Sequence, residues 1–157
     1  MAKRKFLRDV DPKAFDVMLG FENYLAKSSL NRIHAELIKI RVSQINGCAY
    51  CLDMHSKDLL ATGENPQRLF LLDAWREAPL YSARERAALV WAEAVTKITN
   101  GDVPDEVYAI ADQEFSEEEL IDLTLAITTI NAYNRFNISF RTEAGGYKVG
   151  QHKVQTA

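Results

Sequence analysis

The sequence predicts an all-α domain, and three observations carry that expectation. Helix start and stop signals recur along the whole chain, apolar residues fall at helical spacing between them, and strand-like alternation bounded by turn residues is nearly absent. The 157 residues, 47% of them hydrophobic, suffice for one domain with a real core and are too few for two ordinary ones. A single domain over 1–157 is therefore expected, built as a compact bundle of six to seven helices.

Each element follows from its punctuation. Asp11 and Pro12 open a first helix with Phe15, Met18, Leu19 and Leu25 on one stripe, which runs out near Ser28 and Ser29. A second covers roughly Asn31 to Asn46, turns Ile33, Leu37, Ile40 and Ile45 inward, and breaks at Gly47. The third starts around Cys48 and Cys51 and reaches Thr62, where Gly63 suits a left-handed stop; Cys51, Met54, His55 and Leu59 share its inward face. Asn65 and Pro66 cap a short helix through Trp75. Ser82 with Glu85 forms a capping box for a helix to about Thr99, and Pro104 begins another short one. A second box, Ser116 with Glu119, opens the longest helix, which reaches Arg141. Its apolar residues Leu120, Ile121, Leu123, Leu125, Ile127 and Ile130 cover most of its circumference, which places it at the centre of the fold or in a subunit interface. From about residue 150, "GQHKVQTA" has no cap, core or period and reads as a loose tail.

Charged residues make up 26% of the chain, the net charge is -3, and no long block of one sign follows the first few residues. That balance argues against nucleic acid as a partner. The opening "MAKRKFLRDV" has the charges of a secretory leader without its apolar run, and no stretch approaches the roughly 18 apolar residues of a membrane span. A cytoplasmic protein without a membrane partner is expected. In that compartment structural disulfides are rare, so its two cysteines are inert, metal-bound or redox-active.

Both cysteines lie in "QINGCAYCLDMH", with His55 four residues beyond the second. A helix that starts at Gly47 and Cys48 sets both thiols beside backbone N–H groups lacking intrahelical partners, where a thiolate is favoured. Such surroundings bring a thiol from about pH 8.5 to roughly 3.5–7.5. Cys51 and His55 share one helix face, so the imidazole can take the Cys51 proton. Cys48 and Cys51 are close enough to bridge if the first turn bends slightly, and the pair reads as a labile two-electron redox couple. Cys48 sits nearer the helix start while Cys51 has the imidazole, so either could attack. Glu36 stands between Ile33 and Ile40 on the apolar stripe of the preceding helix. Antiparallel packing about Gly47 would let it face and orient His55. Two Cys, a His and a Glu also match the ligand types of zinc, but no second Cys or His pair completes such a site. His34 and His152 read as surface residues, Ser43 and Asp53 as hydrogen-bonding or surface ones, and Asn131, Asn134 and Arg135 as interface polar groups.

The run "ELIKIRVSQINGCAYCLDMH", with Glu36, Cys48, Cys51 and His55, resembles the signature of the alkylhydroperoxidase D-like proteins of the carboxymuconolactone decarboxylase superfamily. The likeness continues through "AWREAPLYSARERAALVWAEAVT", "VPDEVY", "FSEEELIDLTLAI" and "NAYNRFN". It implies an all-helical thiol peroxidase in which Cys51 attacks a hydroperoxide, Cys48 resolves the sulfenic acid as a disulfide, and His55 with Glu36 relays protons. It further implies a lipoylated or thioredoxin-like dithiol reductant and a homo-oligomer, a trimer or hexamer. No organic cofactor is expected, because the cysteines carry the electrons. Tyr50 stands where the best-studied members have a second histidine, and a phenol titrating near pH 10 is a poor base. That departure keeps open a redox-sensing or disulfide-exchange role. A lactone decarboxylase is the remaining rival.

Overall fold

Among the residues described by the computed structural model, 4–30 and 32–152, all regular structure is helical and no strand occurs. Side chains at 7, 8, 32 and 33 lie outside that description, and with them the inward place expected for Ile33 and the helix start expected at Asn31. The α-helices are α1 (Leu7–Val10), α2 (Pro12–Leu25), α3 (Arg32–Asn46), α4 (Ala49–Leu60), α5 (Pro66–Phe70), α6 (Ala83–Thr96), α7 (Asp105–Glu114) and α8 (Glu117–Phe140). Short 3-10 turns follow at Leu72–Ala74 and Ile98–Asn100. The extra helix beyond the seven expected is α1, a single turn.

The caps read from sequence are formed. Asp11 accepts from the N–H groups of Lys13 and Ala14, Asn65 from that of Gln67, and both capping boxes are closed in both directions. The expected helix through Trp75 ends instead at Phe70. Leu69, Leu72, Trp75 and Ala78 are all buried at a spacing of three, and a 3-10 path brings residues three apart onto one side.

Helix α3 is the most enclosed element: residues 37–43 are all buried, where sequence periodicity had suggested a single inward stripe. It packs against α4, α8 and α6, while α2 lies on α8 and α7 on α6. Lys39 and Arg41 therefore enter the interior and need partners. Arg41 donates from Nε to Glu93 (2.8 Å) and also pairs with Asp73; Trp75 Nε1 and Arg76 complete the shell of Glu93. Helix α8 is central, burying Leu120, Leu123, Ala126, Ile127 and Ile130 at about 1.5–3 kcal/mol for each large side chain, and leaving Ile121 exposed.

Candidate active site

The site is built on the junction of α3 and α4. Gly47 takes a left-handed conformation (φ 71°), its N–H donates to the Gln44 carbonyl, and the Cys48 N–H donates to that of Ser43 (3.0 Å). Cys48 thus closes α3 with its backbone and opens α4 with its side chain, for its Sγ accepts from the Cys51 N–H at 3.4 Å. The two cysteines form a disulfide with a Cα–Cα separation of 5.4 Å, and each is 1% exposed. The placement of both sulfurs at a helix N-terminus matches the sequence expectation.

One turn along α4, His55 is buried on the same face as Cys51. Its Nδ1–H donates to Glu36 Oε2 at 2.8 Å, since an ionised carboxylate only accepts. That leaves Nε2 as the ring's basic atom. The structure thus brings together the Cys48–Cys51 pair and His55 on α4, with Glu36 reaching His55 from α3.

Two partners of this pair were not singled out in the sequence. Lys39 Nζ lies 3.6 Å from Glu36 Oε1 and 2.9 Å from Glu22 Oε2, on α2. Burial works to lower the Lys39 pKa, but the two carboxylates outweigh it and hold the ammonium above its ordinary value. A line of alternating charge thus runs from Glu36 through Lys39 to Glu22, with the His55 ring hydrogen-bonded to its Glu36 end. Burial, with the Glu22 charge added, pushes the Tyr133 phenol up beside it. The polar break that Lys39 makes in "LIKIRV" was the available signal. Asn137 is the other omission: buried on α8, it donates from Nδ2 to Cys51 Sγ (3.5 Å) and to the Tyr133 carbonyl (3.0 Å).

The remaining polar residues fall as follows. Asn134 donates to Ser43 (3.0 Å), Asn46 to both Asn131 and Asn134, and Arg135 back to Asn131, so these groups join α3 to α8 within one chain. His34 is half-buried, and burial lowers its pKa against the raising effect of Glu85.

The tail expected from about residue 150 is instead anchored as far as His152, and residues 153–157 lie outside the described residues. Gly145 N–H donates to Asp53, Lys57 to the Gly145 and Tyr147 carbonyls, and Tyr147 and the Gly150 N–H to Asp58. Burial and Asp58 push the Tyr147 phenol up to about 12. His152, read as a surface residue, is half-buried with Nε2 2.9 Å from the Tyr50 hydroxyl. A row of donors and acceptors on α4 does this work, and no single residue announced it.

An apolar cleft of about 310 Å³ opens between α3, α4 and α5, lined by Ile40, Leu52, Leu60, Leu69 and Phe70 with Gln44 and Ser56 among them. Leu52 and Ser56 directly follow Cys51 and His55, which sets the cleft on the neighbouring face of α4. Among the described residues no three His, Cys, Asp or Glu converge to hold a metal ion, and no helix is long and apolar enough to cross a membrane.

By fold and site this is an all-helical protein carrying a Cys-x-x-Cys disulfide one turn from a carboxylate-paired histidine. The chain belongs to the carboxymuconolactone decarboxylase family, which its residues 12–94 match, and within that superfamily it is alkylhydroperoxidase D-like. It is 43% identical to the uncharacterised protein YdfG of Bacillus subtilis over 92% of this chain and 98% of that one. It is 30% identical to the uncharacterised YnjA of Escherichia coli, over 86% of this chain and 75% of that one. A crystal structure from Agrobacterium tumefaciens superposes with a TM-score of 0.89 at 39% identity, covering 93% of this chain and all of that one (100%). That protein is of unknown function and carries the suggested description of antioxidant defence protein AhpD.

Proposed function

We propose that this protein is a thiol-dependent peroxidase that reduces hydroperoxides through Cys48 and Cys51. The observation that carries the reading is the convergence, at the junction of α3 and α4, of the Cys48–Cys51 disulfide with the His55–Glu36 pair. In the dithiol state His55 Nε2 takes the Cys51 proton, and the thiolate attacks the distal oxygen of the hydroperoxide. The S–O bond forms as the O–O bond breaks, the sulfur loses two electrons, and the imidazolium protonates the departing alkoxide to an alcohol. Glu36 steadies that imidazolium, as a carboxylate hydrogen-bonded at Nδ1 does. Cys48 then attacks the sulfenic sulfur, releasing water and leaving the disulfide.

A dithiol reductant, from a lipoylated or thioredoxin-like protein in the cytoplasm, returns the pair to thiols. Cysteines that are each 1% exposed favour a slender lipoyl arm over a broad protein face. A homo-oligomer, trimer or hexamer, is part of the same reading; Val17, Phe21 and Tyr24 leave an exposed apolar stripe on α2. The antioxidant description of the Agrobacterium relative points the same way.

The test is steady-state consumption of tert-butyl hydroperoxide with dihydrolipoamide as reductant. Turnover in the wild type, its loss in Cys51→Ser and Cys48→Ser, and a decrease of about 10²-fold or more in His55→Gln are expected. No consumption above the rate without protein would sink the reading. Fast dithiol–disulfide exchange without peroxide turnover would favour the exchange role, which the Tyr50–His152 pairing in place of a histidine between the cysteines keeps in view. Lactone turnover surviving the loss of both cysteines would favour a decarboxylase.

A further inference from the structure

One polar group beside the attacking sulfur has no task in the steps above. Asn137 is 6% exposed, and its Nδ2 reaches both Cys51 Sγ (3.5 Å) and the Tyr133 carbonyl (3.0 Å). The carbonyl can only accept, so it fixes which end of the amide is nitrogen. The other end, Oδ1, is buried and has no hydrogen-bond partner among the described residues. Buried acceptors left open are rare in folded proteins and call for an explanation, which a catalytic role can supply. This one sits on the same amide that touches the sulfur.

We propose that Asn137 is a further catalytic residue, whose Nδ2–H donates to the Cys51 thiolate and whose Oδ1 accepts the O–H of the incoming hydroperoxide. The assignment rests on the peroxidase reading. Held this way, the oxygen that carries the hydrogen is presented to Sγ. The S–O bond forms at that oxygen, the O–O bond breaks, sulfur gives up two electrons, and the alkoxide leaves with the proton from His55. The hydrogen held by Oδ1 stays on the sulfenic acid. Hydroperoxides are thereby selected over dialkyl peroxides, which have no O–H to offer.

The test uses the full chain in a Cys48→Ser background, where Cys51 is the lone thiol, and compares Asn137, Asn137→Leu and Asn137→Asp. Rate constants for tert-butyl hydroperoxide and for iodoacetamide are measured against pH. At pH values where the thiol is fully ionised, Asn137→Leu is expected to lose about tenfold or more in peroxide rate relative to alkylation rate. Asn137→Asp keeps the acceptors and loses the donor. Its alkylation midpoint is expected to rise, with the peroxide-to-alkylation ratio within about threefold of the parent. An unchanged ratio in Asn137→Leu would overturn the proposal, even if both rates fall. Should that variant not fold by circular dichroism, an unmoved midpoint in Asn137→Asp would overturn it instead. A parent that is alkylated but inert to peroxide would sink the peroxidase reading itself and this proposal with it.

Discussion

Lys39 is a buried cation set between two carboxylates, with the redox pair on one side and α2 on the other. The groups that face it are Glu22 on α2, Glu36 on its own helix and, through Glu36, His55 on α4; Tyr133 of α8 stands near Glu22. Arg41 is engaged by Glu93 and Asp73 on the α6 side. Removing the cation in Lys39→Met leaves more negative charge near the site. The pH midpoint for iodoacetamide labelling of Cys51, measured in a Cys48→Ser background, is expected to rise by about one unit. Glu22→Gln removes a negative charge and is expected to lower it, whereas Lys39→Arg keeps the sign and is expected to hold it. Shifts of the same sign in the first two variants would contradict this electrostatic role. Lys39 also illustrates what the sequence conceals. Its interruption of an apolar run was visible, but Glu22 lies 17 residues away on another helix and reads as an ordinary surface charge.

The junction of α3 and α4 depends on one backbone conformation. A Cβ at Gly47 would meet nothing within 4 Å, so Gly47→Ala carries only the cost of the left-handed backbone, about 1–2 kcal/mol. Urea unfolding should show that loss in full, and unchanged stability would mean that the turn relaxes to another conformation. Ser116→Ala should cost about 1 kcal/mol through the lost cap of α8, read from the same transition. Elements of this kind were legible because their causes are local: Gly47, the Asn65–Pro66 pair and both capping boxes lie within a few residues of what they control. Cys48, Cys51 and His55 were legible for the same reason. Asn137 and His152 were not, because their partners lie 86 and 102 residues away and only packing joins them. The split of the expected Pro66–Trp75 helix also escaped notice, since burial of Leu69, Leu72 and Trp75 against the core overrides a local helix pattern.

Across the whole molecule, buried carboxylates tie α3, α5 and α6 together and set an acid limit to stability. Burial opposes ionisation of Glu93, but hydrogen bonds from Arg76, Trp75 and Arg41 win and lower its pKa. Glu85 behaves alike, with the Ser82 backbone and Arg68 overcoming its burial. Groups depressed on folding contribute stability above their unfolded pKa, near 4.5, and lose it as pH falls through the folded value. Melting temperature should therefore fall as pH drops below about 4.5, and less steeply in Glu93→Gln, although that variant starts from a lower value; equal slopes would contradict the linkage. The proposed redox cycle would likewise be a property of the assembled molecule, since the start of α4 supplies the sulfurs, α3 the carboxylate and α8 the amide. Mass spectrometry of the reduced protein after a small excess of tert-butyl hydroperoxide tests that cycle most directly. The expected result is the loss of two hydrogens in the wild type, and in Cys48→Ser alone a sulfenic acid on Cys51 that a dimedone-type reagent traps. Thiols that stay reduced under these conditions, or a sulfenic acid trapped on Cys48 in Cys51→Ser, would contradict it.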